Sequence, residues 1–154
     1  MWAVDALPKQ VFLALAAVGW ADGVLDENEA RGLTRAAREH GLSPDDVSAL
    51  EVRMRTPVEL GDIDRTALTP WQRLLAYSLA TWMSHVDGVV TADEQRILDR
   101  LGVALELPFS IRRRAEDAVI TAAHGDACPD RYDFAALSRA LRERLPHLCP
   151  SECA

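Results

Sequence analysis

Apolar residues recur at intervals of three and four along most of the chain, which is the pattern of helices with one buried face. The first such stripe contains Val11, Leu15 and Val18, and the last runs from Phe134 to Leu145. We find no run that alternates apolar and polar residues as a surface strand does. The sequence predicts an all-α fold of about seven helices, near residues 8–22, 26–41, 43–54, 70–88, 91–105, 108–125 and 133–145.

The residues before two of these stripes are ones that begin helices. Asp26 and Thr91 each precede a stripe, and each has a glutamate three residues later, Glu29 and Glu94. This spacing is typical of a capping box, in which each side chain accepts a hydrogen bond from the backbone N–H of the other residue. We therefore expect both glutamates to lie in the first turn of a helix.

Glycines follow the first and fourth stripes. Gly23 and Gly88 each stand directly after an aspartate and before a helix start. Glycine adopts positive φ at little cost and commonly ends helices in that conformation. We therefore predict positive φ for both glycines, at or just after a helix end.

The stripes also predict which side chains form the core. The aromatic residues mostly lie on the stripes, so we expect them in the core rather than in a ligand-binding cluster: Phe12, Trp20, Trp71, Tyr77 and Trp82. The stripe positions predicted to be buried are Val11, Leu15, Leu33, Leu75, Leu79, Trp82, Ile97, Leu101, Leu137 and Leu141.

The chain contains an internal repeat. When the sequence is shifted along itself, ADGVLDENEARGL at 21–33 aligns with VDGVVTADEQRIL at 86–98, so that Asp22 meets Asp87. The same turn, cap and helix in the same order predict two related helix–loop–helix units. We expect a single domain, residues 1–154, in which the two units cover residues 8–42 and 70–107. A linker with one short helical turn covers 56–69, and further helices cover about 109–145.

Composition narrows the class of protein. The chain has 154 residues, 49% of them apolar and 27% charged, which suits one globular domain. A net charge of −7 argues against binding to nucleic acid, and we expect the short run Arg112–Arg114 to be a solvated helix face. No apolar run reaches about 18 residues, so no membrane span is predicted. The lack of a signal-peptide pattern and three cysteines predict the cytoplasm.

We call residues 22–29 and 87–94 the first and second acidic loops. The first acidic loop matches half of a calcium-binding EF-hand loop. Asp22, Asp26 and Glu29 fall on positions 5, 9 and 12 of that loop, where oxygen ligands are required. Val18 and Trp20 occupy positions 1 and 3, and neither can replace a carboxylate beside a hard cation. A complete EF-hand is therefore excluded.

Two interpretations of the acidic loops stay open. In one, a divalent cation such as calcium binds Asp22, Asp26 and Glu29, or Asp87 and Glu94, or bridges both loops. In the other, the glycines end helices, the acids cap them, and the domain presents a helical surface to a protein partner. Capping explains Asp22 and Asp87 least well.

At these loops the chain resembles the TerB-like tellurite-resistance family. The resemblance lies in WADGVLDENE and HVDGVVTADE, two turns of Ala-Asp-Gly type with a glutamate six residues after the glycine. It implies a cytoplasmic, all-helical module linked to stress and tellurite resistance, with an acidic metal-binding surface and no enzymatic chemistry. Related domains occur in some membrane-anchored J-domain co-chaperones. The site residues that the resemblance implies are Asp22, Glu29, Asp87 and Glu94. The second loop differs from the pattern at Thr91, which stands where the first loop has the acidic Asp26.

Other reactive residues carry weaker patterns. His124, Cys128, His147, Cys149 and Cys153 offer zinc ligands at irregular spacing, so free thiols and surface histidines are favoured. The sequence has no phosphate-binding glycine loop, no Gly-x-Ser-x-Gly elbow and no His-Glu-x-x-His helix. We therefore expect a binding module and not an enzyme.

Overall fold

The computed structural model describes residues 8–20, 23, 25, 27–39, 41–85, 91–124 and 134–146. Within these ranges the chain forms helices and no strand, which confirms the predicted all-α fold. The seven α-helices are α1 (Lys9–Gly19), α2 (Glu27–Glu39), α3 (Pro44–Arg53), α4 (Pro70–His85), α5 (Ala92–Ala104), α6 (Phe109–His124) and α7 (Phe134–Arg144). None of them is both long and apolar enough to cross a membrane.

Helices α1 and α4 form the centre of the molecule and pack against each other. Every residue of α1 from Val11 to Val18 is buried, and so is every residue of α4 from Leu74 to Trp82. A helix that buries its whole circumference needs neighbours on all sides. Helices α2, α3 and α5 contact α1, helices α5 and α6 contact α4, and α7 packs on α6.

The core prediction is confirmed at nearly every position. Of the predicted stripe residues only Ile97 is not fully buried, and its half-buried side chain still packs against the core. Phe12 and Tyr77 have no exposed surface, and Trp71 and Trp82 are also buried. Trp20 is half-buried at the end of α1.

The internal repeat extends beyond the two segments that the sequence alignment identifies. The shift that aligns Asp22 with Asp87 also aligns the first and last residues of α2 with those of α5. The same shift aligns the start of α3 at Pro44 with the start of α6 at Phe109. The repeated unit therefore contains three helices, with α1, α2 and α3 in the first repeat and α4, α5 and α6 in the second.

The same turn follows α2 and α5. Gly41 and Glu106, at equivalent positions, have φ of +87° and +59°. The next residues, Leu42 and Leu107, donate their N–H groups back to a helix carbonyl at 3.1 and 2.9 Å. These are Schellman motifs, which normally require glycine at the position with positive φ. The second repeat thus carries a strained residue where the first carries glycine.

Replacing Glu106 by glycine is expected to stabilise the protein. The left-handed conformation costs a residue with a side chain about 1 kcal/mol more than it costs glycine. The Glu106–Arg73 ion pair, with 3.8 Å between its atoms, offsets only part of this gain, because the Glu106 side chain is 57% exposed. We expect Glu106→Gly to raise the free energy of unfolding by about 1 kcal/mol in urea denaturation. The reciprocal Gly41→Glu should lower the free energy of unfolding. If both variants were as stable as the wild type, the strain at Glu106 would be refuted.

The linker between the repeats is held to the end of α3. It contains two 3-10 turns, Leu60–Asp62 and Arg65–Ala67, where the sequence predicts one. The Arg53 guanidinium forms an ion pair with Asp62 and donates to the Pro57 carbonyl at 3.1 Å. The second turn went unpredicted because its hydrogen bonds depend on short local contacts and not on an apolar stripe.

Candidate acidic-loop site

The structure describes the five predicted cation ligands unequally. Asp22, Asp26 and Asp87 lie outside the described residues. Glu29 lies in the first turn of α2, and only its backbone is described. Glu94 is the one ligand candidate whose side-chain contacts are described. Among the residues that the structure does describe, no three His, Cys, Asp or Glu side chains are grouped to hold a metal.

The first loop turns sharply at the predicted glycine. Gly23 has φ of +90° and donates its N–H to the Trp20 carbonyl at 2.8 Å, which confirms its predicted conformation. Helix α1 was predicted to reach residue 22, but it ends at Gly19, and Trp20 is its C-cap. The helix therefore ends before the predicted position, and Gly23 is joined to its end by the hydrogen bond to the carbonyl of the C-cap residue. Gly88 lies outside the described residues.

Glu94 has a structural role at the start of α5. The Thr91 hydroxyl accepts a hydrogen bond from the Glu94 N–H at 3.1 Å, and Glu94 Oε1 accepts one from the Thr91 N–H at 3.2 Å. This is the predicted capping box, and it satisfies two N–H groups that a helix start leaves unpaired. One carboxylate oxygen of Glu94 is therefore committed to the helix start.

Other acids beside the two loops are paired along their own helices. Glu27 forms an ion pair with Arg31 at 2.8 Å, and Asp93 forms one with Arg96 at 3.2 Å. All four side chains are largely exposed, so these pairs contribute little to stability. They do reduce the negative charge at the first turns of α2 and α5.

A polar contact that the sequence pattern did not predict joins α4 to α6. The hydroxyl of the fully buried Tyr77 donates to Glu116 Oε1 at 2.9 Å. Burial and this hydrogen bond raise the pKa of Tyr77 well above its usual value, so the phenol remains a donor. The repeat aligns Phe12 with Tyr77 and Glu51 with Glu116. That alignment places both residues on equivalent helices of the two repeats but carries no signal of their contact.

Arg112 does not behave as a solvated residue. A Cβ atom placed on Gly102 would overlap the Arg112 side chain, so the arginine stem lies directly against α5. Its guanidinium lies 5.6 Å from the centre of the Phe109 ring. The prediction of a solvated face holds for the exposed Arg113 and Arg114 and is wrong for the half-buried Arg112. Gly102 provides the space that accounts for the difference.

Comparison with known proteins identifies one family. The family model described as "Protein of unknown function (DUF533)" matches residues 3–126, which is most of the chain. No curated protein and no solved structure matches this chain. The matched segment includes both acidic loops and all three helices of each repeat up to residue 126.

Proposed function

The chain belongs to the DUF533 family, and on that premise we propose that it is a non-enzymatic, TerB-like module of the stress response that binds a divalent cation at its first acidic loop. The observation that supports the site is the turn at Gly23, which closes directly onto the end of α1. The resemblance to TerB proteins supports the cytoplasm as its location and a link to tellurite.

The spacing of the acids along the chain favours a cation site beside this turn. Asp22 directly precedes Gly23, and Asp26 directly precedes α2, which begins at Glu27. Glu29 follows within the first turn of that helix. Three carboxylates within eight residues supply the oxygen ligands that calcium and magnesium prefer.

The two loops are not equivalent as ligands. In the second repeat Thr91 replaces Asp26, and its hydroxyl is already occupied by the Glu94 N–H. Glu94 in turn binds the Thr91 N–H. Fewer free oxygens therefore remain in the second loop, and we assign the cation to the first.

Calorimetric titration with calcium, magnesium, manganese and zinc tests this proposal. We expect saturable binding of at least one cation, lost in Asp22→Asn and in Asp22→Asn/Asp87→Asn because a neutral amide is a weaker ligand. Asp87→Asn alone should retain binding, and Asp93→Asn serves as a matched acidic control beside the second loop. Wild-type protein that shows no binding at millimolar cation would refute the proposal.

A second candidate function is protein binding, with the acidic loops acting only as turns. The capping box of Thr91 and Glu94 favours it, because it explains a predicted ligand without any cation. On this proposal, Asp22→Asn/Asp87→Asn leaves function unchanged and a helical surface binds the partner. The same titration separates the two candidates.

A further inference from the structure

Two large apolar side chains are exposed where α5 leads into α6. Val103, in the last turn of α5, is 67% exposed, and Phe109, the first residue of α6, is 64% exposed. Arg112 connects them, because its stem lies against Gly102, beside Val103, and its guanidinium lies over the Phe109 ring. We call Val103, Phe109 and the three arginines Arg112, Arg113 and Arg114 the Phe109 patch.

The first repeat shows that the fold does not need apolar residues here. The positions equivalent to Val103 and Phe109 are Arg38 and Pro44. Arg38 is exposed and lies 3.5 Å from Glu51 in an ion pair between α2 and α3. The same backbone therefore accommodates a charged residue where the second repeat exposes valine. An apolar side chain contributes free energy only when it is removed from water, which the patch achieves only when another molecule covers it.

The patch also carries positive charge. The Arg113 guanidinium lies 6.0 Å from the centre of the Phe109 ring, and Arg114 follows it on the exposed side of α6. Neither arginine forms an ion pair with another residue that the structure describes. An aromatic ring that already holds guanidinium groups reduces the entropy lost when they bind an anion.

The acids that flank the patch in sequence are Asp99, Glu106, Glu116 and Asp117, and the side chains of the first three have described partners. Glu106 pairs with Arg73, and Glu116 accepts the hydrogen bond of Tyr77. Asp99 accepts a hydrogen bond from Gln95 at 3.1 Å. In a chain with a net charge of −7, the two guanidinium groups at the Phe109 ring make this surface locally positive and apolar, and Asp117 follows Arg113 one turn further along α6.

We propose that the Phe109 patch is the docking surface for an acidic segment of a partner protein that carries an exposed apolar side chain. The apolar side chain of the partner covers Phe109 and Val103, and its carboxylates meet Arg113 and Arg114. Charge complementarity selects an acidic partner, and the apolar contact supplies the affinity. This surface rests on the second candidate function, protein binding, and is independent of cation binding at the first loop.

Three synthetic peptides of equal length test the proposal with the full chain. One alternates glutamate with leucine, one has serine in place of each leucine, and one has lysine in place of each glutamate. We expect only the glutamate–leucine peptide to shift backbone amide NMR signals, and only around residues 103–114. Phe109→Ser and Arg113→Gln/Arg114→Gln should each weaken its binding at least about tenfold, or roughly 1.4 kcal/mol.

Matched controls make the result specific to the patch. Val52 is 59% exposed on α3, so Val52→Ser removes another exposed apolar side chain and should leave peptide binding unchanged. The melting temperature of Phe109→Ser should equal that of the wild type, because the ring is mostly exposed. Binding should persist in EDTA, so that failure of the cation proposal and failure of this one are distinguished.

Several outcomes would overturn the proposal. The first is no binding of the glutamate–leucine peptide at millimolar concentration, and the second is equal binding of the serine or lysine peptide. The third is binding to phosphatidylglycerol vesicles that Phe109→Ser abolishes, without peptide binding, which would assign the patch to a membrane surface. The fourth is self-association that Phe109→Ser abolishes, which would assign it to a second copy of this chain.

Discussion

Phe12→Ala is expected to lower the free energy of unfolding by about 3–5 kcal/mol. The Phe12 ring has no exposed surface, and it lies in α1, which is buried on all sides. Removing the ring loses the favourable free energy of transferring it from water into the core. It also leaves a cavity that the surrounding helices cannot fully close. A domain of this kind has a total stability of about 5–15 kcal/mol, so the variant should be close to unfolding.

Urea denaturation followed by circular dichroism measures this loss. Val52→Ala is the matched control, because Val52 lies on α3 with 59% of its surface exposed and should change stability by no more than about 0.5 kcal/mol. A loss below about 1 kcal/mol for Phe12→Ala would contradict the central position of α1.

Gly23→Val should destabilise the protein by at least about 1–2 kcal/mol through the backbone alone. Gly23 has φ of +90°, and a Cβ atom added there would meet no atom of the described residues within 4 Å. The cost is therefore the conformational strain of a β-branched residue in the left-handed region, without a steric clash. Thermal melting curves of Gly23→Val and Gly23→Ala measure it.

Gly61 provides the control for this prediction. A Cβ atom at Gly61 also meets no neighbour, but Gly61 is not among the positive-φ glycines, so Gly61→Ala should leave the melting temperature almost unchanged. The internal repeat predicts that Gly88→Val behaves like Gly23→Val. Wild-type stability of Gly23→Val would refute the turn, and with it the geometric basis for placing Asp22 and Glu29 in one site.

Local signals in the sequence predicted the helix starts well. Thr91 accepts the N–H of Glu94, as its side chain and spacing indicate. Ser43 likewise accepts the N–H of Asp46 at 3.2 Å, at the residue where the third helix was predicted to begin. The end of α1 was harder to predict, because a glycine with positive φ marks the end of a helix only to within a few residues. The helix ends at Gly19 with Trp20 as its C-cap, and Gly23 donates its N–H to the Trp20 carbonyl.

Contacts between distant residues could not be read from local spacing. Helix α4 is buried on every side although it contains Thr81 and Ser84, whose hydroxyls donate to carbonyls one turn earlier in the same helix. Tyr77 meets Glu116 across 39 residues of sequence. The half-burial of Arg112 depends on a glycine in another helix, at Gly102. Each of these features depends on contacts between helices, which form only when the chain folds.

The contact between α1 and α4 joins equivalent helices of the two repeats. Here a single chain supplies both helices of this contact, and the linker that Arg53 anchors fuses the two repeats. Fusion frees each half to change alone, so that Pro44 and Phe109 can differ while the shared α1–α4 interface is kept.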